Sequence, residues 1–586
     1  MGQPPTSKSS PPCWSCSVMI RATCGSAIAR ACSRSSSSRW VTFPGPSAAG
    51  SAGSQPGIPA RGSSGSKGRR MHTLDNAWGV GSLAEPLSGR HWDAAEIRRQ
   101  IALREAAFLA GGIEPGDRVL IHFGNSLEFF AELLATWRVG ACAIPVDARL
   151  TPFEVEKLAG AAQARFNVID DHTPATTPAA VAGSAIRHTH ELGAPAGGRR
   201  GARQSSSRPR LDDDALILFT SGSTGEPKGV VHTHRSLLAR WSALRENLGV
   251  DAYRRTLCLL PTHFGHGLIC NCLYPWLAGC DLLIVPPFKP DLVMQLGALI
   301  DEHRVSFMSS VPAVWSLALK TARPPAAGSL RRVQVGSAPL SASTWLRIQQ
   351  WAGIREVFNA YGITETGSWV AGTTGEEVVP ESGLIGRPWG AVIRVLENVA
   401  EGEDGSSRRL CEPGEAGMVW LQTPALMKGY FQRQDLTDAA VRRGWFKTGD
   451  IGLLDERGRL FLKGRERDEI NKGGLKVFPA DIDEVVERYP AARDVCSFGF
   501  ADDFYGENVA LAVVLEDRRD ATLAGLHEWL RTHLAEHKHP VRWYLLDEIP
   551  RTSRGKVNRE SVRQACSERS PLDLRQVLQR AAEIQP

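Results

Sequence analysis

Residues 220–229, "TSGSTGEPKG", place three glycines, four hydroxyl side chains and one lysine in ten positions, directly behind the apolar run 215–218. Glycine lets backbone N–H groups approach an anion where a Cβ would block the way. Gly222 and Gly225 supply that freedom, Thr220, Ser221, Ser223 and Thr224 add hydroxyl donors, and Lys228 adds a positive charge. The set suits a polyphosphate. It is not a Walker A loop, which needs Gly before the Lys and Ser or Thr after it; here Pro227 precedes Lys228 and Gly229 follows. Taken alone, the stretch is equally a Gly/Ser-rich surface turn, so the downstream sequence decides.

Four more segments occur in order: "YGITETG" (361–367), "GWFKTGDIG" (444–452), "GRERDEINKGGLKVFPADIDEV" (464–485) and "PRTSRGKVNRE" (550–560). Together with the first loop they resemble the adenylate-forming superfamily of acyl-CoA synthetases, adenylation domains of peptide synthetases and beetle luciferases. The resemblance runs over roughly residues 75 to 570, and five motifs in order leave chance essentially no room. It implies that ATP and a carboxylic acid give an acyl-adenylate and pyrophosphate, and that a thiol, usually that of coenzyme A, then displaces AMP. Two anions must meet, so positive charge and oriented donors are required where charge accumulates.

The same resemblance assigns roles. Residues 220–228 would hold the β- and γ-phosphates. Tyr361, followed by Gly362, would stack on adenine; Thr364 would contact phosphate, and Glu365 would serve the Mg²⁺ site. Gly336, Ser337 and Ala338 in "VGSAPL" would line the adenine and acyl sites. Asp450 would accept both ribose hydroxyls, as an acceptor-only group can, and Arg465 would reach the ribose or phosphate. Lys556 would enter the site for adenylation and bridge carboxylate and α-phosphate. Asn471, Gly473, Gly474 and Lys476 would face thiolation after the C-terminal domain swings about a hinge at Arg467, where the family usually has Asp or Lys. Outside that context each residue has a plainer reading: Tyr-Gly as a turn, lone Glu and Lys as solvated surface groups, Asp after Gly as a turn former.

For the acyl group, "PTHFGHGLICN" puts Phe264 where the family commonly carries a histidine, with His263 and His266 on either side. Phe264 and His266 are the candidates. Amino-acid-activating relatives carry an Asp hereabouts, and residues 261–272 contain no acid. An unpaired buried ammonium costs several kcal/mol, which argues for a fatty, aromatic or short carboxylic acid. Trp369 is placed to narrow the pocket or to fill core.

These groups need a scaffold. "DRVLIHF" reads as a strand, with Asn125 and Ser126 as helix caps, and Leu127, Phe130, Leu134 and Trp137 at helical spacing before Gly140. "ACAIPVD", "TPFEVEKLAGAA" and "ARFNVID" continue strand, helix, strand. The alternation predicts an α/β fold with sheets covered on both faces. The expected division is a large N-terminal domain of parallel or mixed sheets over 71–463, and a small mobile α+β domain over 464–586 with its hinge near 465–468. In the latter a helix at 479–489 would bury Ile482, Val485, Val486 and Tyr489, beside strands "VALAVVLE" and "VRWYLLDEI". Residues 193–210 read as a surface loop.

The 586 residues exceed one core. Residues 1–74 contain no acid and nine Lys or Arg; the remainder balances sixty basic against sixty-three acidic residues, about −3. That removes the case for a basic nucleic-acid-binding surface. The low-complexity segment 1–70 is read as disordered or as an over-extended gene model starting before Met71, with an organellar transit peptide the less favoured reading. The eight cysteines beyond the low-complexity head include no Cys-x-x-Cys pair, show no ligand spacing for zinc and read as free thiols in a reducing compartment. No apolar run spans a bilayer, and the expected location is the cytoplasm. ATP, Mg²⁺ and coenzyme A are the implied cofactor and co-substrates, with a carrier protein as the alternative acceptor.

Overall fold

The computed structural model describes residues 79–169, 184–187, 209–221, 227–287, 289–375, 379–397, 409–472, 475–502, 504–552 and 555–584. Within them the chain forms three sheets. The largest, fourteen-stranded, carries a parallel run of strands Arg255–Cys258, Phe307–Ser310, Arg332–Gly336 and Val357–Ile363. It continues antiparallel through Ser368–Gly372 and on to Trp445–Leu454 and Leu460–Arg465. A seven-stranded sheet is built on parallel Arg118–His122, Cys142–Pro145 and Phe166–Ile169. A five-stranded sheet, whose strands all lie between Ile470 and Leu545, forms the smaller lobe.

Helix Leu127–Arg138 shows why the two large sheets form one body. Ser126 caps it, its hydroxyl accepting from Phe129 N at 3.2 Å. Leu127, Phe130, Leu134 and Trp137 are buried as their spacing predicts, and so is every other residue from Leu127 to Trp137. A helix clasped between two sheets has no solvent face. Its polar Glu132 is therefore matched by buried Arg104, Nε to carboxylate 2.6 Å, because an unpaired buried charge is costly. The following helix, Pro152–Ala162, starts as its sequence dictates, with Pro152 in the first turn and a reciprocal capping box between Thr151 and Glu154.

In the smaller lobe, helix Pro479–Glu487 buries Ile482 and Val486, with Val485 and Tyr489 half-buried against the same core. The eight cysteines among the described residues are free thiols and seven are buried. No helix among the described residues is long and apolar enough to cross a membrane.

Candidate active site

The phosphate-loop candidate connects an antiparallel pair, Asp214–Ser221 with Pro227–Thr233, in register Thr220 to Lys228. Ser221 lies at the end of the first strand; Gly222, Ser223, Thr224 and Gly225 lie outside the described residues. Hairpin geometry distinguishes this loop from a strand-to-helix phosphate loop. Thr220 Oγ1 donates to the Lys228 carbonyl at 3.4 Å, closing the neck.

The returning strand carries His232, buried, with Nε2 2.8 Å from the carbonyl of Thr364. A carbonyl only accepts, so Nε2 bears the proton. Burial pushes this imidazole down to about 4, so it stays neutral. From the next helix, buried Arg240 donates through Nε to the Thr366 carbonyl at 3.0 Å and through Nη1 to the Trp389 carbonyl at 2.9 Å. Burial lowers this guanidinium to about 10. The single 3-10 turn Thr364–Thr366 is thus held at both ends from the segment after the phosphate-loop candidate. Glu365 is aimed by Tyr430, whose hydroxyl donates to Oε1 at 2.7 Å, while Met427 N donates to the Glu365 carbonyl at 2.7 Å.

Tyr361 and Asp450 meet. The Tyr361 hydroxyl donates to Asp450 Oδ2 at 2.5 Å, and Arg465 Nε lies 2.7 Å from Oδ1. Asp450 and Arg465 are opposite one another on neighbouring strands, which fixes the pair. Burial raises the Asp450 pKa against the opposing pull of Arg465, the Tyr361 hydroxyl and Lys556. Gly362 is demanded by the backbone: a Cβ there would lie 2.0 Å from the Ser368 carbonyl. The reason is strand approach, independent of any nucleotide.

Gly336 ends its strand, and Ser337 turns through φ +68°, a left-handed conformation unusual for serine. This strain presents Ser337 Oγ to His266 Nδ1 at 2.8 Å, while His266 Nε2 reaches Ser309 Oγ at 2.6 Å. Ala338 follows, half-buried. Burial pushes His266 down to about 3, with the Lys556 ammonium adding to the effect. His266 opens a π-helical segment, His266–Leu273. Phe264 is buried in the neighbouring apolar cluster, its ring 6.3 Å from that of His266. Asn125 is not a helix cap: its amide donates to the Leu260 and Val285 carbonyls at 3.0 Å each, and its carbonyl accepts from Thr262 N at 3.0 Å. It steadies the segment leading to Phe264. A carboxylate does approach this segment from elsewhere, Asp147 at 3.5 Å from His263. Arg149 already occupies it at 2.8 and 2.9 Å, so it is not placed to receive a substrate ammonium.

Lys556 belongs to the smaller lobe, yet its charge is felt at both His266 and Asp450. The loop bearing it touches the large lobe: a Cβ on Gly555 would lie 3.3 Å from Ala313 Cβ. Nearby, the Ser382 hydroxyl donates to the Glu484 carboxylate across the lobes. The thiolation candidates sit apart in the five-stranded sheet, where Asn471 opposes Lys476 in a hairpin and Asn471 N donates to Glu507 Oε2 at 2.7 Å. Gly473 and Gly474 lie outside the described residues. Arg467 occupies an exposed 3-10 turn, Glu466–Asp468, beside Asp468 at 3.6 Å.

The donor set fits Mg-nucleotide. No cluster of three or more His, Cys, Asp or Glu side chains able to hold a metal is found among the described residues. Mg²⁺ needs no such cage, since one carboxylate plus substrate phosphates and water suffices. Glu365, oriented by Tyr430, is a carboxylate with an oxygen open for such a role. Asp450 accepts one bond at each oxygen, and a carboxylate has lone pairs to spare for two ribose hydroxyls.

Residues 88–431 match the family model described as AMP-binding enzyme, and residues 481–556 match that of the AMP-binding enzyme C-terminal domain. The chain is 30% identical over 474 residues to the long-chain-fatty-acid–CoA ligase FadD13 of Mycobacterium tuberculosis, covering 78% of this chain and 90% of that protein. It is 30% identical over 478 residues to a feruloyl-CoA synthase of an Amycolatopsis species, covering 80% and 93%. The crystal structure of ATP-bound MatB from Rhodopseudomonas palustris superposes with a TM-score of 0.74 at 24% identity, over 84% of this chain and 97% of that one. The chain belongs to the AMP-binding, adenylate-forming enzyme family.

Proposed function

We infer that this protein is an AMP-forming acid–CoA ligase, which activates a carboxylic acid with ATP and passes the acyl group to the thiol of coenzyme A. The relatives named above, a fatty-acid–CoA ligase and a feruloyl-CoA synthase, support this reading. What supports it for this chain is that the Lys556 ammonium, from the smaller lobe, acts electrostatically on both His266 and Asp450, while its neighbour Gly555 lies against Ala313 of the larger lobe.

The division of labour follows from position. Tyr361, Asp450 and Arg465 hold the adenosine, with the carboxylate taking the ribose hydroxyls. The loop 220–228 and Thr364 bind the phosphates. Glu365 would hold Mg²⁺, which would supply charge neutralisation at the phosphates. Lys556 sits between the acid and the α-phosphate, where an ammonium offsets the two approaching negative charges. Neutral His266, between two serine hydroxyls, shapes the acyl side and adds no charge of its own. In the second step the smaller lobe, divided from the larger near 464, turns about Arg467. Lys556 then leaves and the Asn471–Lys476 hairpin lines the thiol's approach.

ATP–pyrophosphate exchange against a panel of carboxylic acids, repeated with coenzyme A and mass detection of the thioester, tests the reading. Exchange and thioester formation are expected. Exchange with transfer only to a carrier protein's phosphopantetheine, and none to free coenzyme A, would overturn the acceptor.

A further inference from the structure

The sheet face beneath His266 is polar where a hydrocarbon tail would want it apolar. In parallel strands, paired residues project to the same face. Gly336 pairs with Ala360, and one row further in Ser309, Gln334 and Phe358 are aligned. Ser309 holds His266, so this row continues the acyl side of the site. Gln334 is fully buried, and neither its amide nitrogen nor its amide oxygen has a hydrogen-bond partner among the described residues. The Trp369 indole, 2% exposed and packed edge-on against His266 at 5.3 Å, likewise has an unpartnered Nε1. Buried polar groups in folded proteins are almost always satisfied, each omission costing about 1–3 kcal/mol; other unpartnered groups, Asn167 and Trp389 among them, lie neither in the Ser309 row nor against the His266 ring.

The next row closes the path. Phe307 and Tyr253, both fully buried, lie ring against ring at 4.1 Å. Arg332 covers Tyr253 and Phe358 at 5.6 and 4.8 Å, its own charge paired with Glu356 at 2.9 Å. Gln334 is two residues inward of Gly336, about 6.6 Å at strand rise. A long chain has nowhere to continue down this face, and among the described residues of these rows no unpaired charge awaits a second ionised group.

We propose that the acid activated here is compact and carries a neutral hydrogen-bonding group, a hydroxyl or carbonyl, at its far end, read by the Gln334 amide and the Trp369 indole N–H. The inference rests on the ligase reading and specifies its substrate. A carbonyl at that depth accepts from Gln334 and Trp369; a hydroxyl donates to the Gln334 oxygen as well.

The test is ATP–pyrophosphate exchange and thioester formation on the full chain with matched acids: pentanoate against 5-hydroxypentanoate, benzoate against 4-hydroxybenzoate, and palmitate. The hydroxylated member of a pair should show kcat/KM at least about tenfold higher, the discrimination one or two neutral hydrogen bonds give. Gln334→Met, close in volume, should abolish that preference while leaving turnover of the plain acid within a few-fold. Should Gln334→Met fail to fold, Trp369→Phe reads the same preference through the loss of the indole N–H alone. Equal turnover of plain and hydroxylated acids, or preference for palmitate, overturns the proposal and leaves the ligase reading intact. No exchange with any of the five acids overturns both.

Discussion

Lys556→Ala should separate the two half-reactions. The perturbation is local, because the loop is closed by its own backbone: Thr552 N donates to the Lys556 carbonyl at 2.7 Å, and Lys556 N donates to Thr552 Oγ1 at 3.3 Å. Gly555, at φ +74°, keeps its approach to Ala313. The side chain is exposed, so unfolding stability should change by no more than about 0.5 kcal/mol. What is lost is an ammonium whose field already reaches His266 and Asp450. A charged contact realised only as the acid meets the phosphorus contributes roughly 3 kcal/mol, so adenylation should fall at least about 100-fold. Lys556→Arg should recover little, since a planar fork does not replace a compact charge between two oxyanions. ATP–pyrophosphate exchange measures the first step; a supplied acyl-adenylate with coenzyme A measures the second, which should suffer far less. Equal losses in both would refute the role given to Lys556 and with it the alternation of lobes.

Acid should destabilise the protein through His232 and His266. Their folded values, about 4 and about 3, lie below the ordinary 6.5. Below 6.5 the unfolded chain therefore binds more protons, and stability, full above 6.5, falls with pH at roughly 2 kcal/mol per histidine by pH 5. Glu487, raised by burial to about 7, acts in the opposite sense over the same window, so the histidine share is read by difference: between pH 7.5 and 5 in urea, His232→Asn should lose less stability than the parent, and equal changes in the two would contradict it. Arg240→Met orphans the Thr366 and Trp389 carbonyls; it should lower stability by about 2 kcal/mol in chemical denaturation, with the relief of burying one charge fewer offsetting part of the cost. A variant as stable as the parent would show that those bonds contribute nothing. Tyr430→Phe should raise the KM for Mg-ATP several-fold without changing the unfolding midpoint, because it frees one oxygen of Glu365 and little else; an unchanged KM would remove Tyr430 from the site.

Local chemistry was legible and distant pairing was not. The helices over Pro152–Ala162 and Pro479–Glu487 and the cap at Ser126 arise from a few neighbouring residues, and the structure agrees with each. Asn125 has the same composition signal as a cap, but its partners lie 135 and 160 residues away. His232 and Arg240 reach turns 132 and 126 residues downstream, and a histidine or arginine amid apolar neighbours gives no sign of which carbonyl it will meet. The helix Leu127–Arg138 forms where its spacing puts it, with Leu127, Phe130, Leu134 and Trp137 buried, but its second buried face belongs to a sheet formed by later sequence.

The motif residues and their supports stand in a physical relation that explains the difference. A carboxylate that is to bind a ligand, the role proposed for Glu365, must keep lone pairs open, so it cannot be fixed by saturating its own oxygens with protein donors. Its backbone is fixed instead, by donors supplied from other segments of the chain. His232 holds the Thr364 carbonyl, Arg240 that of Thr366, and Met427 N that of Glu365. All three act on main-chain carbonyls, which every residue type possesses. The recipients therefore leave no trace in the sequence, and only the donors do. Gln334 breaks this pattern: it is a buried donor with no carbonyl to hold among the described residues, which is why it reads as a group kept for substrate, where His232 reads as a support.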